Sequence, residues 1–232
     1  MSEECIICKA PLVYTPRERM MECVLCHRQE RSRTRCTQGH YVCDHCHTRG
    51  VDRITGLCLA ETSQDPVALL EKLMDLPLCH MHGPEHHVLV GAALLTACRN
   101  AGAGVDLPRA LEELQSRARQ IPGGACGFWG ACGAGVSCGI AVSILTGATP
   151  LAGETWGLSN QMTARALESI GAVGGPRCCK RDSYLALSAA VPFLKEHLGV
   201  ELTLSPVHCR RSLQNSQCLE QRCPFFTPQP EA

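Results

Sequence analysis

At 232 residues the chain has room for one large domain and a small one, and 45% hydrophobic with 19% charged residues is the balance of a soluble globular protein. A formal net charge of zero supplies no field toward nucleic acid or an anionic membrane, so neither a nucleic-acid partner nor membrane attachment is expected. Cysteine stands out: there are eighteen, eight of them in the first 60 residues. Such a set is either a secreted disulfide framework or a group of thiolates holding metal in a reducing compartment.

The opening "MSEECIICKA" is acidic and lacks the basic run and apolar core of a secretion signal, which favours the cytoplasm and metal. Residues 1–60 read as a small zinc-ribbon or knuckle module of α+β type, in which "PLVY" and "ECVL" suit hairpin strands. Its ligands come as four pairs, Cys5/Cys8, Cys23/Cys26, Cys36/His40 and Cys43/Cys46. Eight such ligands complete two tetrahedral zinc ions. Consecutive pairs or alternate pairs can share an ion, and spacing alone does not choose between them. The segment "CTQGHYVCDHC" resembles the middle of RING-type cross-brace modules, but the pairs come in a different order and no ubiquitin-ligase activity is carried over. The one basic run, "RQERSRTR" with Arg28, Arg31, Arg33 and Arg35, reads as a solvated loop. Cys58, His45 and His47 receive no assignment.

Residues 61–205 read as a helical domain, so the fold class is mainly α. Asp65 is placed to cap a helix that begins at Pro66. Further helices are predicted in "GPEHHVLVGAALLTACRN", "LPRALEELQSRARQ", "GAGVSCGIAVSILTG", "SNQMTARALESIG" and "RDSYLALSAAVPFLKEHLG", each bounded by Gly or Pro or by a capping residue. Residues 206–232 form a cysteine-containing tail expected to pack on this domain.

Four groups within the helical domain and tail carry chemistry. "CHMHGPEHH" gathers Cys79, His80, His82, Glu85, His86 and His87 at a helix start, where the helix dipole favours neutral imidazole. Four imidazoles and a carboxylate supply both metal ligands and proton-transfer groups near neutral pH, and His82, Glu85 and His86 are the acid or base candidates. In "CGFWGACGAGVSCG", cysteines six apart point about 240° away from one another on a helix of 3.6 residues per turn. Cys126 and Cys132 therefore read as ligands on a glycine-rich entry loop, and Cys138 as core. The 34 residues from Gln120 to Gly153 carry no charge, but nine glycines leave them too weakly hydrophobic for a membrane span. In "GGPRCCKRD", the cations Arg177, Lys180 and Arg181 beside Cys178 and Cys179 are expected to favour thiolate and to bind an anionic substrate. Cys209, Cys218 and Cys223 are spaced unevenly for a zinc knuckle. A cysteine followed by Pro224 is similar to ferredoxin-type cluster ligands. Several of the later cysteines, Cys98 and Cys138 especially, are expected to be small core residues.

The strings "HMHGPEHHVLV", "CGFWGACGAG", "TGATPL", "WGLSNQMTARALE", "GGPRCCKRD" and "CPFF" together resemble an uncharacterised cysteine-rich domain-of-unknown-function family found mainly in anaerobic microbes. The resemblance implies that Cys138 stands where the family has a small non-cysteine residue, leaving Cys126 and Cys132 as ligands. The Gly- and Ala-rich cysteine segments are also loosely similar to those of iron–sulfur serine dehydratases and cysteine desulfidases. That similarity implies an open iron that drives elimination or sulfur transfer. The expected protein is thus an iron–sulfur enzyme, of 4Fe–4S type, with lyase, desulfidase or sulfur-transfer chemistry on a small anionic substrate. Its cluster ligands come from Cys126, Cys132, Cys178, Cys179, Cys209, Cys218 and Cys223. The alternative is a zinc-binding adaptor whose N-terminal module recruits a protein or nucleic acid.

Overall fold

The computed structural model describes residues 4, 5, 7, 8, 10–47 and 52–228, the side chains of Asp52 and Arg53 apart. Strands β1 (Leu12–Glu22) and β2 (Gln29–Cys36) pair antiparallel, from Leu12 opposite Cys36 to Glu22 opposite Gln29. The register shifts between Tyr14 and Arg19. Pro16 lies in that gap and has no N–H to give the ladder. A four-residue helix, α1 (Asp44–His47), follows the hairpin.

The helical body comprises α2 (Asp52–Ala60), α3 (Pro66–Met74), α4 (His86–Asn100), α5 (Leu107–Ala118), α6 (Ala125–Phe128), α7 (Gly133–Thr146), α8 (Glu154–Val173) and α9 (Cys179–Leu198). Helix α4 is apolar on every side and is buried from Val88 to Cys98, as a central helix must be. It packs against α2, α3, α5, α7 and α9. The uncharged stretch is explained by α7, whose Ala134, Cys138, Ala141 and Val142 lie in the same core. No helix among the described residues is long and apolar enough to cross a membrane.

The caps fall where local chemistry puts them. Asp65 Oδ1 accepts from the N–H groups of Val67 and Ala68 at 2.9 and 3.3 Å, with Pro66 in the first turn. Helices α8 and α9 begin at Glu154 and Cys179, earlier than Ser159 and Arg181 where the sequence pattern starts. Helix α2 was not anticipated, because Ile54, Thr55 and Gly56 are weak helix formers. Burial of Ile54 and Cys58 in the main core holds it in place. The tail returns across α3 and α9. Ser205 N–H reaches Asp65 Oδ2 at 3.1 Å, and Arg211 bonds Glu71 at 2.8 Å and Asp75 at 2.6 Å.

Candidate functional site

The hairpin register wires the cysteine pairs. Because Leu12 sits opposite Cys36, the residues preceding β1 lie beside those following β2, and Cys5, Cys8, Cys36 and His40 gather at the open end. At the turn end Cys23 bridges to Tyr41, which brings Cys43 and Cys46 to Cys23 and Cys26. Within each tetrad the ligand atoms lie within 4.8 Å of one another. Alternate pairs therefore share a site, which is the cross-brace of the two wirings.

Main-chain N–H groups of His40 and Cys43 point at the sulfurs of Cys36 and Cys23, at 3.2 and 3.4 Å. Burial pushes the Cys23 thiol up, but N–H donors from Cys43, Leu25 and Cys26 outweigh it and bring the value to about 6. Its neighbour Cys43 is pushed up to about 12 by burial and by the adjacent sulfurs. Four such thiols ionise together only around a cation. Each tetrad is thus built to hold a metal ion.

The later cysteines divide into two sets at the start of α9. Cys178 is the extended N-cap, its sulfur accepting from Arg181 N–H, while Cys179 is the first helical residue, so the two side chains diverge. Cys178 joins Cys209, Cys218 and Cys223 around a small cavity of about 20 Å³. Cys179 lies in the field of Cys132, which in turn lies in that of Cys126. Neither set closes to the 4.8 Å of the hairpin tetrads. Cys132 is the N-cap of α7, and Cys126 sits on α6, a short helix where a loop was expected. Cys138 and Cys98 are fully buried in the core, as read from the sequence.

The expectation that neighbouring cations favour thiolate is overturned. Burial dominates, raising Cys178 to about 11 and Cys179 well above its ordinary value in spite of Arg181 and Arg177. The cations are engaged elsewhere. Arg181 is buried and bonds Asp182 at 3.0 Å and the carbonyls of Gly174 and Pro176 at 2.9 and 3.0 Å. Lys180 is buried with its ammonium 2.9 Å from Cys79 Sγ. Arg177 faces the larger cavity and bonds the Tyr14 hydroxyl.

In the histidine cluster, Glu85 is fully buried. It accepts the His80 main-chain N–H at 2.8 Å, and the Nδ1 atoms of His47, His80 and His86 lie 3.2, 3.3 and 3.8 Å from it. Burial would raise its pKa, yet these imidazoles hold the carboxyl well below the usual range. Desolvation lowers His86 to about 3 and His87 to about 4, so both are neutral, as expected at this helix start. A Cβ on Gly133 would come 2.2 Å from the His87 ring, so α7 can start against α4 only with glycine there. His82 takes the Cys179 N–H on Nδ1 at 3.5 Å. Its Nε2 therefore carries the proton and donates to Asn215 Oδ1 at 3.3 Å.

Between hairpin and body lies a cavity of about 840 Å³. Arg31, Arg33 and Arg35, which share one face of β2, line it with Arg28, Arg119 and Arg177; His47, His80 and His82 lie on the same wall, and the carboxylates of Glu4, Glu18, Glu30 and Asp44 offset part of this positive charge. The basic run is thus a strand facing a cavity. The Arg33 guanidinium stacks 4.7 Å from the Phe128 ring centre. Of the proposed acid–base residues only His82 lines this cavity, with Glu85 and His86 behind the wall. Sequence reasoning missed His47, and it counted His80 in the histidine cluster without giving it a role of its own. Their signal was a histidine directly following a metal ligand in "CDHCH", and another directly following Cys79.

Fold and site together define a mainly helical protein in which a cross-braced hairpin, carrying two tetrads that could each hold a metal ion, walls a basic cavity. The chain belongs to a family of unknown function (DUF5714), whose family model matches residues 54–226. No curated protein and no solved structure matches it.

Proposed function

We propose that the protein is a metalloenzyme. Zinc fills the two hairpin tetrads, an iron–sulfur cluster of 4Fe–4S type is held in the helical body, and a small anionic substrate enters the arginine-lined cavity for elimination, desulfidation or sulfur transfer. Closed sets of four Cys and His ligands support zinc in the hairpin. Eighteen cysteines without a disulfide support a reducing compartment, and we place the protein in the cytoplasm.

The observation that carries the enzyme reading is the trio Cys126, Cys132 and Cys179. Each thiol accepts main-chain N–H groups: from Gly127 for Cys126, from Ala134 and Gly135 for Cys132, and from Gly83 for Cys179. Ala125 next to Cys126, Arg177 two residues before Cys179, and His82, which accepts the Cys179 N–H, line the cavity. This donor set fits a cluster, since N–H···S bonds tune such centres and three thiolates leave one iron without a protein ligand. When bound, the cluster supplies a Lewis-acidic iron. Arg177 and the β2 arginines bind and orient the anion. His82, held in one tautomer by Asn215, is the proton-transfer group at the wall. The set of Cys178, Cys209, Cys218 and Cys223 supports a second, fully ligated metal site.

Anaerobic purification with iron, zinc and sulfide analysis tests this reading. Iron with acid-labile sulfide is expected in the wild type and lost in Cys132→Ala, with zinc unchanged. Absence of iron and sulfide after anaerobic reconstitution sinks the enzyme reading. The adaptor reading is supported by Ile7, Met20 and Leu25, apolar side chains exposed on the cross-braced module, and zinc without iron is its expected result.

A further inference from the structure

One cluster joins the hairpin to the helical body. His47 ends α1 directly after the tetrad ligand Cys46, whereas His80 and Glu85 belong to the turn before α4. His47 Nδ1 lies 3.2 Å from Glu85 Oε2 and His80 Nδ1 lies 3.3 Å from Glu85 Oε1. The three residues offer ligand atoms all within 4.8 Å of one another. Two ligands each about 2.0–2.1 Å from a tetrahedral ion stand about 3.3–3.4 Å apart.

Hydrogen bonds give similar spacings, but the His80 contact is not one. Its Nδ1 is buried without a hydrogen-bond partner, and the oxygen it faces already accepts the His80 main-chain N–H. A buried ring nitrogen left so against a buried carboxylate is costly unless a cation lies between them. Close packing here also depends on Gly83, where a Cβ would come 2.1 Å from Glu85 Oε2 and 2.6 Å from His47 Cε1.

We propose that His47, His80 and Glu85 bind a further metal ion, a divalent transition metal distinct from those of the tetrads and from any cluster. Two imidazoles and one carboxylate leave a coordination position open, as catalytic zinc and non-haem iron sites do. Both imidazoles line the basic cavity, so that position takes water or the anionic group of a substrate. Cys79, Glu85 and His86 form an overlapping group on the other side of the carboxylate. The Lys180 ammonium, 2.9 Å from Cys79 Sγ, repels a cation there. The site ties the two parts of the molecule through one ion.

The test uses the full chain, purified anaerobically, stripped of metal and titrated with Co²⁺. Thiolate sites give intense sulfur-to-cobalt charge-transfer bands, and the proposed site gives only weak visible bands. His80→Ala removes a partly exposed ring. It is expected to take up one equivalent fewer than the wild type, with charge-transfer intensity unchanged. Glu85→Gln should lose the same equivalent, and if it fails to fold, His80→Ala still decides. Inorganic phosphate should shift the weak bands of the wild type. Equal Co²⁺ uptake by the wild type and His80→Ala overturns the site, and weak bands unmoved by phosphate overturn its open position. Because the count is of cobalt, it stands apart from the iron and sulfide content that tests the cluster.

Discussion

A buried thiol is a poor acid unless N–H donors outweigh its burial, and two of the cysteines show the contrast. Cys23 has its donors, whereas Cys138 lies in the apolar core with its pKa raised by burial and, less, by nearby Cys132. Cys138→Ala should therefore cost about 1–2 kcal/mol of stability, read from urea unfolding, and leave metal content untouched. The buried imidazoles set a pH dependence. His86 and His87 fall to about 3 and about 4, against about 6.5 in an unfolded chain. Between those values the unfolded chain binds more protons, so their contribution is complete above about pH 6.5 and is lost as pH falls toward 3–4. In the metal-free chain His47, raised despite burial by its bond to Glu85, contributes in the opposite sense, present below about pH 6.5 and lost as pH rises through its folded value; a metal ion on Nδ1 removes this contribution. The urea midpoint should drop from pH 7 to 5.5, and His87→Gln should flatten that slope; an unchanged slope would exclude His87 as a source. The tetrad residues were legible because ligand pairs are three or four residues apart. His47 was not, because Glu85 meets it from 38 residues away.

At the scale of elements, what the sequence announces are boundaries made by local chemistry. Asp65 before Pro66, Asp106 before α5 and the left-handed Gly147 and Gly199 closing α7 and α9 were all readable as caps. Helix α2 and the four-residue α6 were not, because packing rather than propensity makes them. Asp65 does double duty, capping α3 with one oxygen and holding Ser205 of the tail with the other. Asp65→Ala should lower stability by about 1–2 kcal/mol. Limited proteolysis should also cut beyond residue 200 faster than in the wild type, and an unchanged cutting rate would mean that the Thr203 N–H on Gln64 and the Arg210 and Arg211 pairs hold the tail without Asp65.

For the whole molecule, the two halves rest on different forces. The helical body has a large apolar core, whereas the hairpin cluster consists of Cys23, Tyr41, Cys43 and Cys46, three of them metal ligands. Chelation should therefore unravel the hairpin and expose Arg28 to Arg35 to trypsin while helical circular dichroism persists. Simultaneous loss of the helical signal would show that the body depends on the hairpin metals. The cross-brace itself was beyond reach of spacing, since it follows from strand register, a property of pairing between distant segments. The division of Cys178 from Cys179 has a mechanical consequence. Two sulfur environments hang from a single peptide bond at the tip of a packed twenty-residue helix, so α9 acts as a common axle. Any shift of that axle would move both thiols together, so the geometry of one set is tied to that of the other.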